Sequence, residues 1–447
     1  MLASCNTPGW QAHVVITVRA TIMQTPSPER LEVLTDRIVI DADDGTIEAV
    51  QSAGEGVVAD VELGAGTVLV PGFVDTHVHA PQWPQLGTGL DLPLERWLFE
   101  YTFPLEARFD DVEYATRVWN AMVPTLLALG TTTAVYYGSI HEPATLALAD
   151  ACIRHGQRAF VGRVAMDHPE GTPEWYRDPS PAAAVEASAR SIEAIRSLSD
   201  PLGLVEPIVT PRFVPACTDA ALVGLGELAA ETGTRVQTHC SESDWEHGYV
   251  LDRCGRTDTS ALDRYGLLRE HTVLAHATHL SDEDRALIAT RRAGVAHCPL
   301  SNVYFANRPF SARRAIDAQL AVGLGTDVAG GPSPSLLGQC GHAVAASRRL
   351  ADLGDPTARI DIVTAFWMAT LGGATLLGID AGLLAAGRRF DAVAVSLDGL
   401  GVDENLDGPN RVFEKLVRLA GSADIIAVWV AGRRVAPDVA PDVPENF

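Results

Sequence analysis

The chain has 447 residues, with 34 Lys and Arg against 57 Asp and Glu, a net charge of −23; 47% of residues are hydrophobic and 20% charged. That balance supports a large buried core and excludes a disordered chain. An acidic surface without a basic cluster repels phosphate backbones and anionic lipid, which excludes nucleic acid and membrane surfaces as partners. The seven cysteines (Cys5, Cys152, Cys217, Cys240, Cys254, Cys298, Cys340) are scattered and never spaced as CxxC, so they form neither a disulfide framework nor a thiolate metal site. The opening MLASCNTPGWQAHVV lacks the basic-then-apolar pattern of a secretory leader. No run approaches the roughly 18 apolar residues of a membrane span, and a cytoplasmic protein is expected.

In chain order, residues 14–23 and 31–40 read as strands rich in Val, Ile and Thr, and 41–45 supply a turn before a third strand at 47–50. The pattern then changes. Apolar, strand-like runs stand at 68–73, 132–137, 159–164, 204–209, 236–238, 273–277, 294–298 and 320–325, most of them separated by helical stretches such as 181–197 and 219–231. Eight near-continuous apolar strands alternating with helices predict an α/β protein whose parallel sheet closes as a (β/α)8 TIM-like barrel. An open doubly wound sheet would carry a glycine-rich phosphate loop after its first strand, whereas PGFVDTHVHA (71–80) stands there. Beyond 378, short strands return at 390–395 and 425–430, with a hairpin turn at 431–433. The expected organisation is a barrel at 70–378 flanked by a small β-sandwich-like domain built from both chain ends, 1–69 and 379–447. Its acidic, proline-rich tail at 436–447 reads as a loosely held terminus.

Active sites of such barrels lie at the C-terminal ends of the strands. Strand 1 leads into Asp75-Thr76-His77-Val78-His79, and alternation along a strand turns both histidines toward the barrel mouth. Strand 5 adds His239 and, three residues on, Glu242; strand 6 adds His276; strand 8 closes on Gly325-Thr326-Asp327. Nitrogen and oxygen ligands without thiolate suit Zn, with Fe or Mn possible in its place. Two-metal barrels usually bridge their ions with a lysine after strand 4. Strand 4 here leads into Thr210-Pro211-Arg212-Phe213, and the only lysine, Lys415, lies in the terminal β region, so one ion is expected. Such an ion acidifies a bound water, and hydrolysis at an sp2 carbon then needs a base for the water proton and an acid for the leaving group. Asp327 and Glu242 fit those roles. His276 either steers the water and stabilises developing charge or is a further ligand. His279, His297 and His141 read as supporting groups, and Cys240 as packed on the opposite face. Residues 75–131, with Trp83, Trp97, Tyr101 and Phe103, exceed an ordinary crossover and read as a partly helical cover over the pocket.

Taken together, these pieces resemble the amidohydrolase superfamily, and within its mononuclear aminohydrolase branch the guanine deaminases. The resembling stretches include PGFVDTHVHAPQ (71–82), LDLPLERWLFEYTFPLEARF (90–109), GTTTAVYY (130–137), GQRAFVGRVAMD (156–167), PIVTPRF (207–213), HCSES (239–243), AHCPLSN (296–302) and GLGTDVAGG (323–331). The resemblance implies hydrolysis of guanine to xanthine and ammonia with one zinc, by a homodimer. It implies that His77, His79, His239 and Asp327 hold the metal and that Glu242 shuttles protons. Gln82 and the Arg212-Phe213 pair would recognise the purine, with His239 and Glu242 also facing it. A rigid fork of Arg212 donors suits the O6/N7 edge of guanine, and Gln82 can donate and accept in the plane of the base. Leu300 stands where relatives often carry Asn, and Trp83-Pro84 where Tyr is usual. Both departures bear on the choice among guanine, another purine such as 8-oxoguanine, a pterin and an s-triazine. A non-catalytic scaffold of the same fold is the remaining alternative; such proteins typically lose metal ligands, and all are present here.

Overall fold

The computed structural model describes residues 16–436 apart from 42–43, 55–57, 307 and 404. The start of the first expected strand (14–15) and the tail at 437–447 lie outside the described residues. Eight parallel strands follow one another in hydrogen-bonded order around a nearly closed barrel: Phe73–His79, Thr131–Tyr137, Arg158–Gly162, Val205–Pro211, Arg235–Cys240, Val273–His276, Gly294–His297 and Ala321–Leu324. They are buried almost throughout, as expected for strands covered by helices on the outside and side chains within. Crossover helices start where the sequence offers a cap. Ser180 accepts from the Ala183 N–H at the head of Pro181–Arg196, and Thr218 from the Ala221 N–H at the head of Asp219–Thr232. Among the described residues no helix is long and apolar enough to cross a membrane.

The first barrel strand corrects the expectation of a strand at 68–73. Thr67–Pro71 instead pairs antiparallel with Ala392–Ser396 in the second sheet, and the barrel strand begins at Phe73 and runs on through both histidines. The chain changes sheets at Gly72, whose N–H donates to the Asp391 carbonyl at 2.9 Å. Glycine is required there, because a Cβ would lie 2.2 Å from Thr132 Oγ1. The barrel seam between strands 8 and 1 is stitched just above the strands. The Asp327 N–H donates to the His77 carbonyl and the His79 N–H to the Val328 carbonyl, each at 2.9 Å.

The second sheet has eight strands, five from the N-terminal part (Thr17–Ser27 to Thr67–Pro71) and three from the C-terminal part (Ala392–Ser396, Ile425–Val430, Arg433–Ala436). Period-two alternation covers both its faces. Val68, Val70, Val393 and Val395 join the barrel-side core, while Leu69, Ala392 and Ala394 pack with Val18, Ile22, Phe390 and Trp429 on the other side. Lys415 sits not on this sheet but on the helix Pro409–Leu419, where it pairs with Asp407.

One buried ion pair ties the sheet to the barrel. Arg158 of barrel strand 3 donates to both oxygens of Asp391, at 3.1 and 3.3 Å, and Asp391 also accepts the Ala431 N–H at 2.8 Å. Removing one partner of such a pair strands a buried charge, a loss of about 3–5 kcal/mol, whereas replacing both with apolar groups is often nearly neutral. Asp391→Ala is therefore expected to lower the urea midpoint sharply and Arg158→Met/Asp391→Leu much less. Equal midpoints for the two variants would contradict this role for the pair.

Candidate active site

The extended backbone of strand 1 sends His77 and His79 to one side, with their rings 4.9 Å apart edge to face. His239, next to the end of strand 5, brings its ring within 4.9 Å of His77 and 5.0 Å of His79. His276 ends strand 6 at φ 67° and Asp327 follows strand 8 at φ 49°. Non-glycine residues adopt this left-handed region only where surrounding contacts fix them. For the Asp327 segment the fixing group is Asp75, which accepts the Thr326 N–H at 3.0 Å, the Thr326 hydroxyl at 2.6 Å and the His77 N–H at 3.3 Å. Burial pushes the Asp75 carboxyl up to about 7 against those bonds.

The ring nitrogens converge. His79 Nε2 and His239 Nε2 are 2.9 Å apart; Asp327 Oδ1 lies 3.2 Å from His77 Nε2 and 3.7 Å from His79 Nε2. His276 Nε2 is 3.8 Å from Asp327 Oδ2 and 3.7 Å from Glu242 Oε1. The Nδ1–H of His239 donates to the Arg212 carbonyl at 2.6 Å, and that of His276 to Asn302 Oδ1 at 2.9 Å. Both rings therefore turn an Nε2 lone pair inward. Burial, reinforced by the neighbouring rings, holds His77, His79 and His239 well below the ordinary histidine range, so they are neutral. Both nitrogens of His77, Nδ1 of His79 and Nε2 of His276 are buried without a hydrogen-bond partner. A buried unsatisfied polar atom costs about 1–3 kcal/mol, and neutral imidazoles packed around a carboxylate are the donor set of a divalent cation. The site fits such an ion. His77 groups with His239 and His276 on one side and with His79 and Asp327 on the other, and His276 with Glu242 and Asp327.

Against this cluster lies a pocket lined by Gln82, Leu94, Trp97, Leu98, Arg212, Phe213, Glu242, Phe305 and Gly330. The structure thus brings together all the residues singled out from the sequence for metal, substrate and catalysis. Glu242 is buried, not solvated, and burial followed by the Asp327 charge pushes its carboxyl well above the ordinary range. The Arg212 fork carries a partner that the linear sequence does not show. Its Nη1 and Nη2 donate to the two oxygens of Glu106 at 2.6 and 3.1 Å, with the guanidinium 4.9 Å over the Phe103 ring. Three Arg212 N–H donors are left for other partners. Gln82 donates to Glu106 Oε1 at 3.0 Å and accepts the Ala329 N–H at 3.2 Å.

The cover consists of short helical turns through 80–110. Of its expected aromatics, Trp97 lines the pocket, Phe103 lies buried under Arg212, Trp83 packs on the core and Tyr101 is exposed. His279 pairs with Asp244 at 2.7 Å, His297 packs on the Phe310 ring and His141 on the Tyr176 ring. Cys240 is packed in the core, and Leu300 is buried beside Gly331. Sequence reasoning missed Glu106, Asp75 and Asn302. Asp75 opened the noted Asp75–His79 motif and Asn302 ended AHCPLSN, but nothing in a linear spacing shows what either would touch.

The profile of the amidohydrolase family matches residues 68–435. A probable guanine deaminase of Schizosaccharomyces pombe is 38% identical over 82% of this chain and 71% of its own length, and a guanine deaminase of Dictyostelium discoideum is 35% identical over 82% of each. Among solved structures, a guanine deaminase from C. acetobutylicum with guanine bound in its active site superposes with a TM-score of 0.88 at 27% identity, covering 94% of this chain and 100% of that one. The chain belongs to the amidohydrolase family and stands beside the guanine deaminases within it.

Proposed function

We propose that this chain hydrolyses guanine to xanthine and ammonia, a step of purine breakdown, using one zinc ion held by His77, His79, His239 and Asp327. One observation carries the reading: beside the cation site, the pocket wall formed by Arg212 and Gln82 offers N–H donors, the complement of a ring edge bearing a carbonyl and an unprotonated nitrogen. Likeness to a structure that holds guanine supports it. The family resemblance supports a homodimer, and six described cysteines, all free, support a reducing cytoplasm.

When bound, the zinc ion supplies Lewis acidity that brings the pKa of a water down to about 7. Asp327 stands where it can take the proton of the attacking water. Glu242, its carboxyl raised by burial, can carry a proton to the ring nitrogen beside C2. As water adds to C2, the proton from Glu242 stays on the ring nitrogen, the proton taken from water passes to the amino group, which leaves as ammonia, and the remaining hydroxyl proton returns to Glu242 as the C2 carbonyl forms; the sum is guanine plus water to xanthine plus ammonia. His276, with Nδ1–H held by Asn302, keeps its Nε2 lone pair turned to the same space and can accept a hydrogen bond there. Phe213 and the cover residues Leu94, Trp97 and Leu98 shield the pocket from water.

The test is ammonia release by purified, metal-assayed protein offered guanine, adenine, 8-oxoguanine, a pterin and a triazine. Rapid release from guanine with near one zinc per chain is expected; release from another compound alone would overturn the substrate assignment. Glu242→Gln is expected to keep its metal and lose about 10²–10⁴ in kcat, and a wild-type kcat would remove Glu242 from proton transfer. Arg212→Met should act mainly on KM for guanine, lowering kcat/KM by about 10–100-fold, the worth of a hydrogen bond to a charged group. An unchanged kcat/KM would mean that Arg212 does not read the ring.

A further inference from the structure

Glu106 is fully buried at the end of the cover helix Phe103–Glu106, and its two oxygens receive four hydrogen bonds from three separate segments. Oε1 accepts from Gln82 Nε2 at 3.0 Å and Arg212 Nη2 at 3.1 Å; Oε2 accepts from Arg212 Nη1 at 2.6 Å and the Tyr176 hydroxyl at 3.1 Å. A carboxylate can only accept, so it dictates the polarity of every neighbour. It draws Gln82 Nε2 to itself and thereby turns Gln82 Oε1 away, onto the Ala329 N–H at 3.2 Å. With one lone pair of Gln82 Oε1 taken by the Ala329 N–H and a guanidinium beside it, N–H donors predominate among the groups left on this wall.

We infer that Glu106 is a specificity-determining positioning residue: by locking Arg212 and the Gln82 amide, it makes the wall rich in donors and so selects rings whose facing edge accepts, as at O6 and N7, over rings that carry an amino donor at C6. This rests on the guanine reading above and adds to it the residue that sets the discrimination. Glu106 touches neither the ring nor the cation cluster in this arrangement; it acts through Arg212 and Gln82. In Glu106→Gln, the new amide can donate as well as accept, so Gln82 is free to reverse and present its oxygen to the pocket.

The experiment compares kcat and KM for guanine and 2,6-diaminopurine, which keeps the 2-amino leaving group and replaces O6 with an amino group. Four proteins are used: wild type, Glu106→Gln, Arg212→Met and the double variant. The wild type should prefer guanine strongly. In Glu106→Gln that preference should fall about tenfold or more, mainly through a higher KM for guanine. In the Arg212→Met background the same change should move the ratio less than in the wild type, because only the Gln82 amide is then left for Glu106 to act through. Loss of activity on both purines in proportion, with the ratio intact, would make Glu106 merely structural and overturn the inference, as would full additivity with Arg212→Met. If Glu106→Gln does not fold, Tyr176→Phe carries the test. It removes one donor from Oε2 and should lower the ratio in the same direction, by about threefold; an unchanged ratio overturns the inference. A wild type that releases no ammonia from guanine overturns the functional reading and this inference with it, whereas guanine turnover with an insensitive ratio overturns this inference alone.

Discussion

Neutral imidazoles packed around a buried carboxylate at the closing seam of the barrel form the donor set of a cation, and the rest of the site is arranged around them. The seam and the donors are built from the same residues. The backbone bonds that join strand 1 to the segment after strand 8 run through His77, His79 and Asp327, the groups whose side chains converge. Closing the barrel and forming the cation site are one structural event. Asp75 reinforces it from beneath by holding Thr326, and the left-handed backbone at His276 and Asp327 aims both side chains back over the mouth.

A second arrangement of charge governs the neighbouring wall. Guanidinium and carboxylate are both buried there, and each would be costly alone; paired through two hydrogen bonds they are tolerated. Because Glu106 comes from the cover, Gln82 from the turn after strand 1, Arg212 from the end of strand 4 and Tyr176 from the segment after strand 3, the pair also fixes the cover onto the barrel. Holding the cover in place and orienting the pocket residues Arg212 and Gln82 thus share one set of bonds.

Much of this was legible in the sequence because it depends on local periodicity. Alternation along a strand is enough to put His77 and His79 on one face, and repeated apolar runs between helical stretches are enough to specify a barrel whose strand ends carry His239, His276 and Asp327. The lone lysine, Lys415, sits far along the chain from strand 4 and pairs with Asp407, in keeping with the absence of a bridging lysine there. What could not be read were features set by distant segments meeting. The run at 68–73 looks continuous, yet Gly72 lets the chain leave one sheet and enter another, a break decided by the closeness of Thr132. The partner of the Arg212 fork could not be read because Glu106 is 106 residues earlier, within a stretch where nothing but a shared motif marked it.

The central claim, that a cation is held by nitrogen and oxygen donors alone, is tested most directly by X-ray absorption at the metal edge of the purified protein. For zinc, the account predicts a shell of nitrogen and oxygen scatterers at about 2.0–2.2 Å with imidazole outer-shell features and no sulfur. A sulfur shell near 2.3 Å, or protein that retains no stoichiometric metal, would contradict it.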